Sequence, residues 1–291
     1  MQLPIESLNL LMLNVGYANH NGDWNWQNVS SPFARIYYVT EGNAQIIIEQ
    51  ANSSQKTIIT LKPNHLYMIP AYTVHSYQCD SVFSHYYLHV YEGFKKETDI
   101  FEYYNFPYEV NAESGELDLF TSLLNEYPDF SLPASDPKSY DNTTVFTDYV
   151  RRYNDLDLFQ KMKIRGLILI VFSHFLKFAS KKVWISDDRL LKVLDYIHSH
   201  IYDEINLDTL SDKACVTKPY LIRIFKKNFS ISPLQYINNK KIEKAQLILI
   251  TEDLPVKEVA YKLGFNDHSY FIRLFKKLTG RTPLEYRDTM R

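Results

Sequence analysis

The chain has 291 residues and a formal net charge of −2, a length that suggests two domains each able to bury its own core. The average charge hides an asymmetry: residues 1–186 carry 14 Lys and Arg against 20 Asp and Glu, whereas the segment from Lys213 onward carries 16 against 7, an imbalance that attracts a polyanion. Two cysteines, Cys79 and Cys215, argue against a disulfide framework and fit a reducing, cytoplasmic setting. Met1–Leu13 has no basic region ahead of its apolar residues, unlike a secretory leader, and the most apolar run, Ile164–Leu176, falls short of the ~20 residues that a membrane span needs.

From Pro32 to Tyr91, short β-rich runs alternate with turn residues. The runs Ala34–Thr40, Gln45–Glu49, Thr57–Leu61, Tyr67–Ile69 and His85–Tyr91 predict a barrel or sandwich. Glu41-Gly42-Asn43 is expected as a hairpin-like turn, Pro63-Asn64 as another, and Pro70 at an edge or corner. Alternation places His85, Tyr87 and His89 on one face of a strand, and His75 with Tyr77 on one face of another. Together with Arg35, such side chains suit a polyhydroxylated ligand, which needs aromatic faces and directed hydrogen bonds. Beyond Ala112 the period turns helical, with Leu117, Phe120, Leu123 and Leu124 on one stripe. A loop is expected over Pro128–Thr143, and helix again from near Val145 to about Phe178. Here Leu167, Leu169, Ile170, Phe172 and Phe175 exceed what a small barrel covers, which predicts a homodimer contact. Ala179–Asp188 is the candidate linker, and the chain beyond Asp188 is expected to be almost entirely helical.

An internal repeat appears at an offset of fifty residues. Tyr220-Leu221-Ile222-Arg223-Ile224-Phe225-Lys226-Lys227 matches Tyr270-Phe271-Ile272-Arg273-Leu274-Phe275-Lys276-Lys277, and Pro233-Leu234-Gln235-Tyr236 matches Pro283-Leu284-Glu285-Tyr286. Nine of the twenty positions 217–236 equal their partners, so one structural unit is duplicated. Each unit reads as a helix-turn-helix. Leu207, Leu210 and Ala214 form the first stripe, Cys215-Val216 the turn and Thr217 an N-cap; Val256, Val259, Ala260 and Leu263 form the second stripe, Gly264-Phe265 the turn, and Asn266 or Asp267 the cap. Helical geometry turns Leu221, Ile224 and Phe225 inward and Pro219, Ile222, Arg223 and Lys226 outward, as it does Phe271, Leu274 and Phe275 against Ser269, Ile272, Arg273 and Lys276. An outward face that pairs Arg with Ile suits a major groove, because Arg bonds guanine bidentately, Ile packs on a thymine methyl, and lysines hold phosphates. Candidate DNA contacts are therefore Thr217, Lys218, Pro219, Ile222, Arg223, Lys226, Lys227, His268, Ser269, Ile272, Arg273, Lys276 and Lys277. Pro233–Thr251 is expected as one connecting helix of about 28 Å, near the ~34 Å of a DNA turn.

These residues resemble the AraC/XylS family of bacterial regulators over about residues 189–291. The family's second-unit signature stands here as Gly264-Phe265, Tyr270-Phe271, Arg273, Phe275-Lys276-Lys277, Gly280, Pro283 and Tyr286-Arg287. Two positions depart: Lys241 replaces the usual linker-helix Arg and Ser230 replaces a glycine, which weakens the expectation of phosphate contacts by that helix. The N-terminal part resembles the family's cupin-type sensor barrel, on Arg35–Gly42, Pro63-Asn64-His65 and Ile69-Pro70 followed by His75. The resemblance implies an α+β protein with an N-terminal cupin-like β-barrel followed by helices (residues 1–182, sensing and dimerisation) and a C-terminal all-α domain of about seven helices (183–291). It implies a regulator that binds double-stranded DNA and a small effector, a carbohydrate or derivative, as a homodimer, with RNA polymerase as partner if it activates. Ligand contacts are expected at Arg35, His75, Tyr77, His85, Tyr87 and His89, of which Tyr77, His85 and Tyr87 fall where arabinose-type sensors place them. A metal-dependent cupin enzyme would show His-X-His and a downstream Glu after Gly42; none follows, so no catalytic residue, metal or cofactor is expected. Two alternatives stay open: a cupin enzyme fused to a DNA-binding module, and a regulator controlled by a protein partner with an empty barrel.

Overall fold

Antiparallel strand pairing over residues 10–111 and helix packing over 187–289 divide the chain into two compact units, 10–92 with 104–180, and 181–289 with 100–103. The computed structural model describes residues 5, 8, 10–49, 56–92, 100–141, 143–182 and 187–289.

In the first unit two sheets are built from the strands β1 (Leu10–Asn21), β2 (Ala34–Gly42), β3 (Ala44–Glu49), β4 (Lys56–Leu61), β5 (His65–Ile69), β6 (His75–Gln78), β7 (Val82–Glu92) and β8 (Glu109–Asn111). A five-stranded sheet runs in the order β1-β7-β2-β5-β8, and a three-stranded sheet in the order β4-β3-β6. The two sheets share one core, in which Tyr37, Val39, Tyr67, Phe83 and Tyr87 of the first meet Ile46, Ile48, Leu61 and Tyr77 of the second. Glu41-Gly42-Asn43 is not a hairpin turn: β2 pairs with β5 and β7, whereas β3 pairs with β4 and β6. A register shift between Val39 and Glu41 and the left-handed Gly42 (φ 73) turn the chain from one sheet into the other. Only glycine fits there, since a Cβ would lie 1.8 Å from the Val82 carbonyl oxygen.

The outer face of the larger sheet is covered by helices, so β2 is buried on both sides from Ala34 to Val39. Phe120 of α1 (Glu116–Glu126) packs on Tyr38 and Tyr86 with ring centroids 5.9 and 6.2 Å apart. The stripe expected on α1 is rotated: Leu117 is exposed, and Glu116 faces inward instead. His174 explains this, since its Nδ1 lies 2.6 Å from Glu116 Oε1. His174 belongs to α3 (Leu158–Phe178), which follows α2 (Thr143–Asp155). The apolar run in α3 divides between two faces. Ile164, Ile168, Val171, Phe172 and Phe175 are buried, so Phe172 and Phe175 are core and not available to a partner, while Leu158, Phe159, Met162, Ile170 and Phe178 are exposed. Among the described residues no helix is long and apolar enough to cross a membrane.

From Asp188 onward the described residues of the second unit form seven successive helices: α4 (Asp188–Ser199), α5 (Leu207–Ala214), α6 (Lys218–Phe229), α7 (Pro233–Thr251), α8 (Val256–Lys262), α9 (His268–Thr279) and α10 (Pro283–Thr289). The architecture is a sheet-rich N-terminal part followed by a helical C-terminal part, an α+β fold. The proposed linker falls partly on residues 183–186, which lie outside the described residues.

Candidate nucleic-acid interface and barrel cavity

The fifty-residue repeat of the sequence is also a repeat of structure. α6 and α9 start at residues 218 and 268 and end at 229 and 279. Behind α6, Phe225 meets Tyr236 edge-on (5.8 Å, 74°); behind α9, Phe275 meets Tyr286 in the same way (5.4 Å, 75°). Capping boxes recur as well: Ser232 with Gln235 opens α7, and Thr282 with Glu285 opens α10. The turns before α6 and α9 both pass through a left-handed residue, Cys215 (φ 52) and Gly264 (φ 66). The caps differ. Asp267 Oδ1 accepts from the Ser269 and Tyr270 amides at 2.8 and 3.0 Å, whereas the Thr217 side chain makes no capping bond.

Inward residues Leu221, Ile224, Phe225, Phe271 and Phe275 are buried, but Leu274 is only half-buried. Thr217, Lys218, Pro219, Arg223, Lys226, Lys227, Ser269, Arg273, Lys276 and Lys277 are exposed, and Ile222, Ile272 and His268 are half-buried. Each of α6 and α9 thus carries an exposed Arg next to a partly covered Ile. Arg223 rests 5.0 Å above the Tyr220 ring, and Arg273 lies 4.0 Å from Asp267. Lys218 is paired with Asp208. Lys241, in place of the usual linker-helix Arg, does not face solvent. It is buried, and its Nζ donates to the carbonyls of Asp203 and Leu263, each at 2.6 Å.

In the first unit a cavity of about 270 Å³ opens between strands β1, β2 and β7 and the segment Leu132–Tyr140. Of the expected ligand residues, His85, Tyr87 and His89 line it. His75 and Tyr77 lie deeper. His75 Nδ1 donates to the Thr73 carbonyl, so its Nε2 accepts from Tyr77 Oη (2.7 Å), which in turn accepts from Tyr37 Oη (2.7 Å). Arg35 is fully buried behind His89: its guanidinium donates to Asp141 (2.6 Å), Tyr140 Oη (2.8 Å), Ser31 Oγ (2.5 Å) and His89 Nε2 (3.4 Å). Burial opposes that charge, yet Asp141 and Tyr140 hold it well above the ordinary arginine value.

The remaining cavity wall includes His20, Trp24, Tyr37 and Tyr140, none foreseen as contacts. Trp24 stacks on Tyr77 at 4.1 Å. Alternation within β1, where Ala18 and His20 pair with His85 and Phe83 of β7, was the overlooked signal. Burial lowers the histidines: His75 to about 3, His85 and His89 well below the usual value, and His20 less so because Asp23 opposes the shift. All four are neutral near pH 7. Among the described residues, three nitrogens at the cavity have no partner: His85 Nδ1, His89 Nδ1, left as a donor because Nε2 accepts from Arg35, and His20 Nε2, left as an acceptor because Nδ1 donates to Asp23. Tyr87 reaches past Gly16, where an added Cβ would lie 2.0 Å from its hydroxyl, and accepts from the Leu132 amide at 2.8 Å. Leu132–Asp141 is therefore a strap over the cavity, tied at one end by Tyr87 and at the other by Arg35.

Two duplicated helix-turn-helix units joined by one helix define a DNA-binding class of domain. Residues 210–289 match the family model described as "Helix-turn-helix domain". An uncharacterised HTH-type transcriptional regulator of Bacillus subtilis, YdeC, is 29% identical over 133 residues, 46% of this chain and 45% of that one. The arabinose operon regulatory protein of Escherichia coli is 32% identical over 102 residues, 35% of each chain. The chain thus spans less than half the length of these curated relatives. The crystal structure of ToxT from Vibrio cholerae shares the fold over 97% of this chain and 98% of its own, with a TM-score of 0.52 at 13% identity. Over its helix-turn-helix part the chain is therefore similar to AraC-type regulators such as the arabinose operon regulatory protein.

Proposed function

We propose that the protein is a sequence-specific, DNA-binding transcription regulator, in which residues 183–291 bind double-stranded DNA and residues 1–182 sense an effector and dimerise. The observation that carries this reading is the exposed Arg beside a half-buried Ile at equivalent places on α6 and α9. Arg223 and Arg273 each bond a base edge, most simply O6 and N7 of guanine; Ile222 and Ile272 pack on thymine methyls, and Lys227 and Lys277 touch phosphate. The other exposed polar residues of the two helices hold the flanking backbone. α7, of 19 residues, spaces the units by nearly one DNA turn. Selection of sites from random DNA tests the proposal. Arg223→Ala and Arg273→Ala relax base preference at two positions about 10 base pairs apart, each by roughly 1–3 kcal/mol of discrimination. Relaxation of the same position by both, or a loss of affinity without change of preference, overturns it.

The effector we assign to the barrel cavity is an uncharged, polyhydroxylated molecule, a carbohydrate or derivative. Among the described residues lining the cavity, the neutral histidines and the Arg35 charge already matched by Asp141 leave an anion no free cation to pair with. Trp24, Tyr37 and Tyr87 supply ring faces, and the unpaired His20, His85 and His89 nitrogens supply directed hydrogen bonds. A cognate sugar raises the melting temperature by mass action, and Tyr87→Ala diminishes that rise; a response carried only by carboxylated or phosphorylated compounds refutes the assignment.

A further inference from the structure

Two helix-turn-helix units joined only by α7 would swing about that helix, and their recognition helices would have no fixed separation. The second unit of the fold contains another connection. The loop between α4 and α5, which leads into the first helix-turn-helix, lies directly on the turn of the second: a Cβ on Gly264 would stand 2.7 Å from the carbonyl carbon and oxygen of Asp203 and 3.0 Å from the Glu204 amide nitrogen. Beside this contact Asn266 Nδ2 donates to Glu204 Oε2 at 2.9 Å. Lys241 sits where loop, linker helix and turn converge. Its side chain is 4% exposed, its ammonium donates to Asp203 on one side and Leu263 on the other, both at 2.6 Å, and the Phe265 ring lies 5.3 Å away. A lysine has three donors on one point charge, so a single Nζ can hold carbonyls from both units.

Resting on the DNA-binding reading, we propose that Lys241 is a positioning residue that fixes the spacing of α6 and α9, making the two helix-turn-helix units one rigid reader. Burial pulls its ammonium down to about 8, against the opposing pull of Glu204 and Asp203, so it remains charged at neutral pH. Such a buried charge is retained when both carbonyls receive it with short hydrogen bonds, and its removal frees them together. Gly264 permits the approach of the two backbones; Lys241 closes it.

Two readouts separate this proposal from the DNA-binding reading. In the full chain without DNA, with Cys215→Ser as background, spin labels at Lys227→Cys and Lys277→Cys report the distance between the recognition helices. The distribution is narrow with Lys241 present, broad in Lys241→Met, and narrow again in Lys241→Arg, whose guanidinium can also serve two carbonyls. A narrow distribution in Lys241→Met overturns the proposal, whatever the protein binds. Without labels, duplexes selected by the wild-type protein are then compared with the same duplexes carrying one or two base pairs inserted between the sites. The wild-type protein prefers the original spacing; Lys241→Met loses about tenfold on it, because the loosened joint lowers the effective concentration of the second unit, and discriminates less between spacings. Equal spacing preference in both overturns the proposal, and failure of the wild-type protein to bind any duplex refutes the DNA-binding reading instead. If Lys241→Met loses its helical circular dichroism, Asn266→Ala, which removes the solvent-exposed tie to Glu204, must broaden the label distances in the same direction, and no broadening overturns the proposal.

Discussion

Removing the Asp141 carboxylate should be the most damaging small change to the barrel. Asp141 and Arg35 form a buried ion pair at 2.6 Å, with side chains 8% and 1% exposed. In Asp141→Ala the guanidinium keeps Tyr140, Ser31 and His89 as partners, none of which carries a negative charge, so an uncompensated charge stays buried. That costs about 3–5 kcal/mol, and for a unit of roughly 150 residues the melting temperature falls by about 6–20 °C. Replacing both partners by apolar groups, in Arg35→Met with Asp141→Leu, removes the charge with its counter-charge and costs much less than the single change, with a coupling energy of about 2 kcal/mol or more. Thermal unfolding followed by tryptophan fluorescence suits the measurement, since Trp24 is buried against the cavity wall. Amide exchange over 132–141 should accelerate in Asp141→Ala, because one of the two ties of the strap is lost. A single variant within 1 kcal/mol of wild type, or a double variant as costly as the two singles added, would refute the reasoning.

Three further outcomes are expected. The barrel should lose stability on acidification: His20, His75, His85 and His89 are all lowered below 6.5 by burial, so below that pH the unfolded chain binds protons that the folded chain refuses. The stability is fully present above about pH 6.5 and declines as pH falls, with a slope of at most about 1.4 kcal/mol per unit for each histidine; a melting temperature unchanged between pH 7 and 5 contradicts this. Ser230 (φ 61) ends α6 in the left-handed conformation that Gly280 (φ 80) adopts at the end of α9, so Ser230→Gly should stabilise the helical unit by about 1 kcal/mol, read as a higher urea midpoint at constant slope. Gly280→Ser should cost a similar amount, since a Cβ there meets nothing within 4 Å and only backbone strain is added. The proposed dimer is tested at Met162, exposed on α3 with Leu158, Phe159 and Ile170: Met162→Asp should shift sedimentation from dimer to monomer, and an unaltered profile removes this face from consideration.

The sequence by itself determined the helical half. Its signals are local: residues three and four apart share a helix face, caps lie three residues from what they cap, and duplication writes the same unit twice. Thus Pro233–Thr251 could be bounded at both ends, and the outward Arg and Ile of α6 and α9 are legible without any knowledge of contacts. The strand alternation of His85, Tyr87 and His89 was equally legible and does face the cavity. What surrounds them was not. β1 went unseen, since its role comes from pairing with β7, a strand about seventy residues away: His20 faces Phe83 and Ala18 faces His85. Arg35 was singled out as a ligand contact, but its partner stands 106 residues on, in a segment with no periodicity to mark it. Gly42 looked like a hairpin because a turn residue shows that the chain reverses and not which sheet it enters next. Lys241 could be read only as a stand-in for the usual linker-helix Arg; two carbonyls, 38 and 22 residues away, receive its ammonium in the interior. Local periodicity sets which face of an element is apolar, whereas only tertiary packing decides which distant backbone or charge comes to meet it.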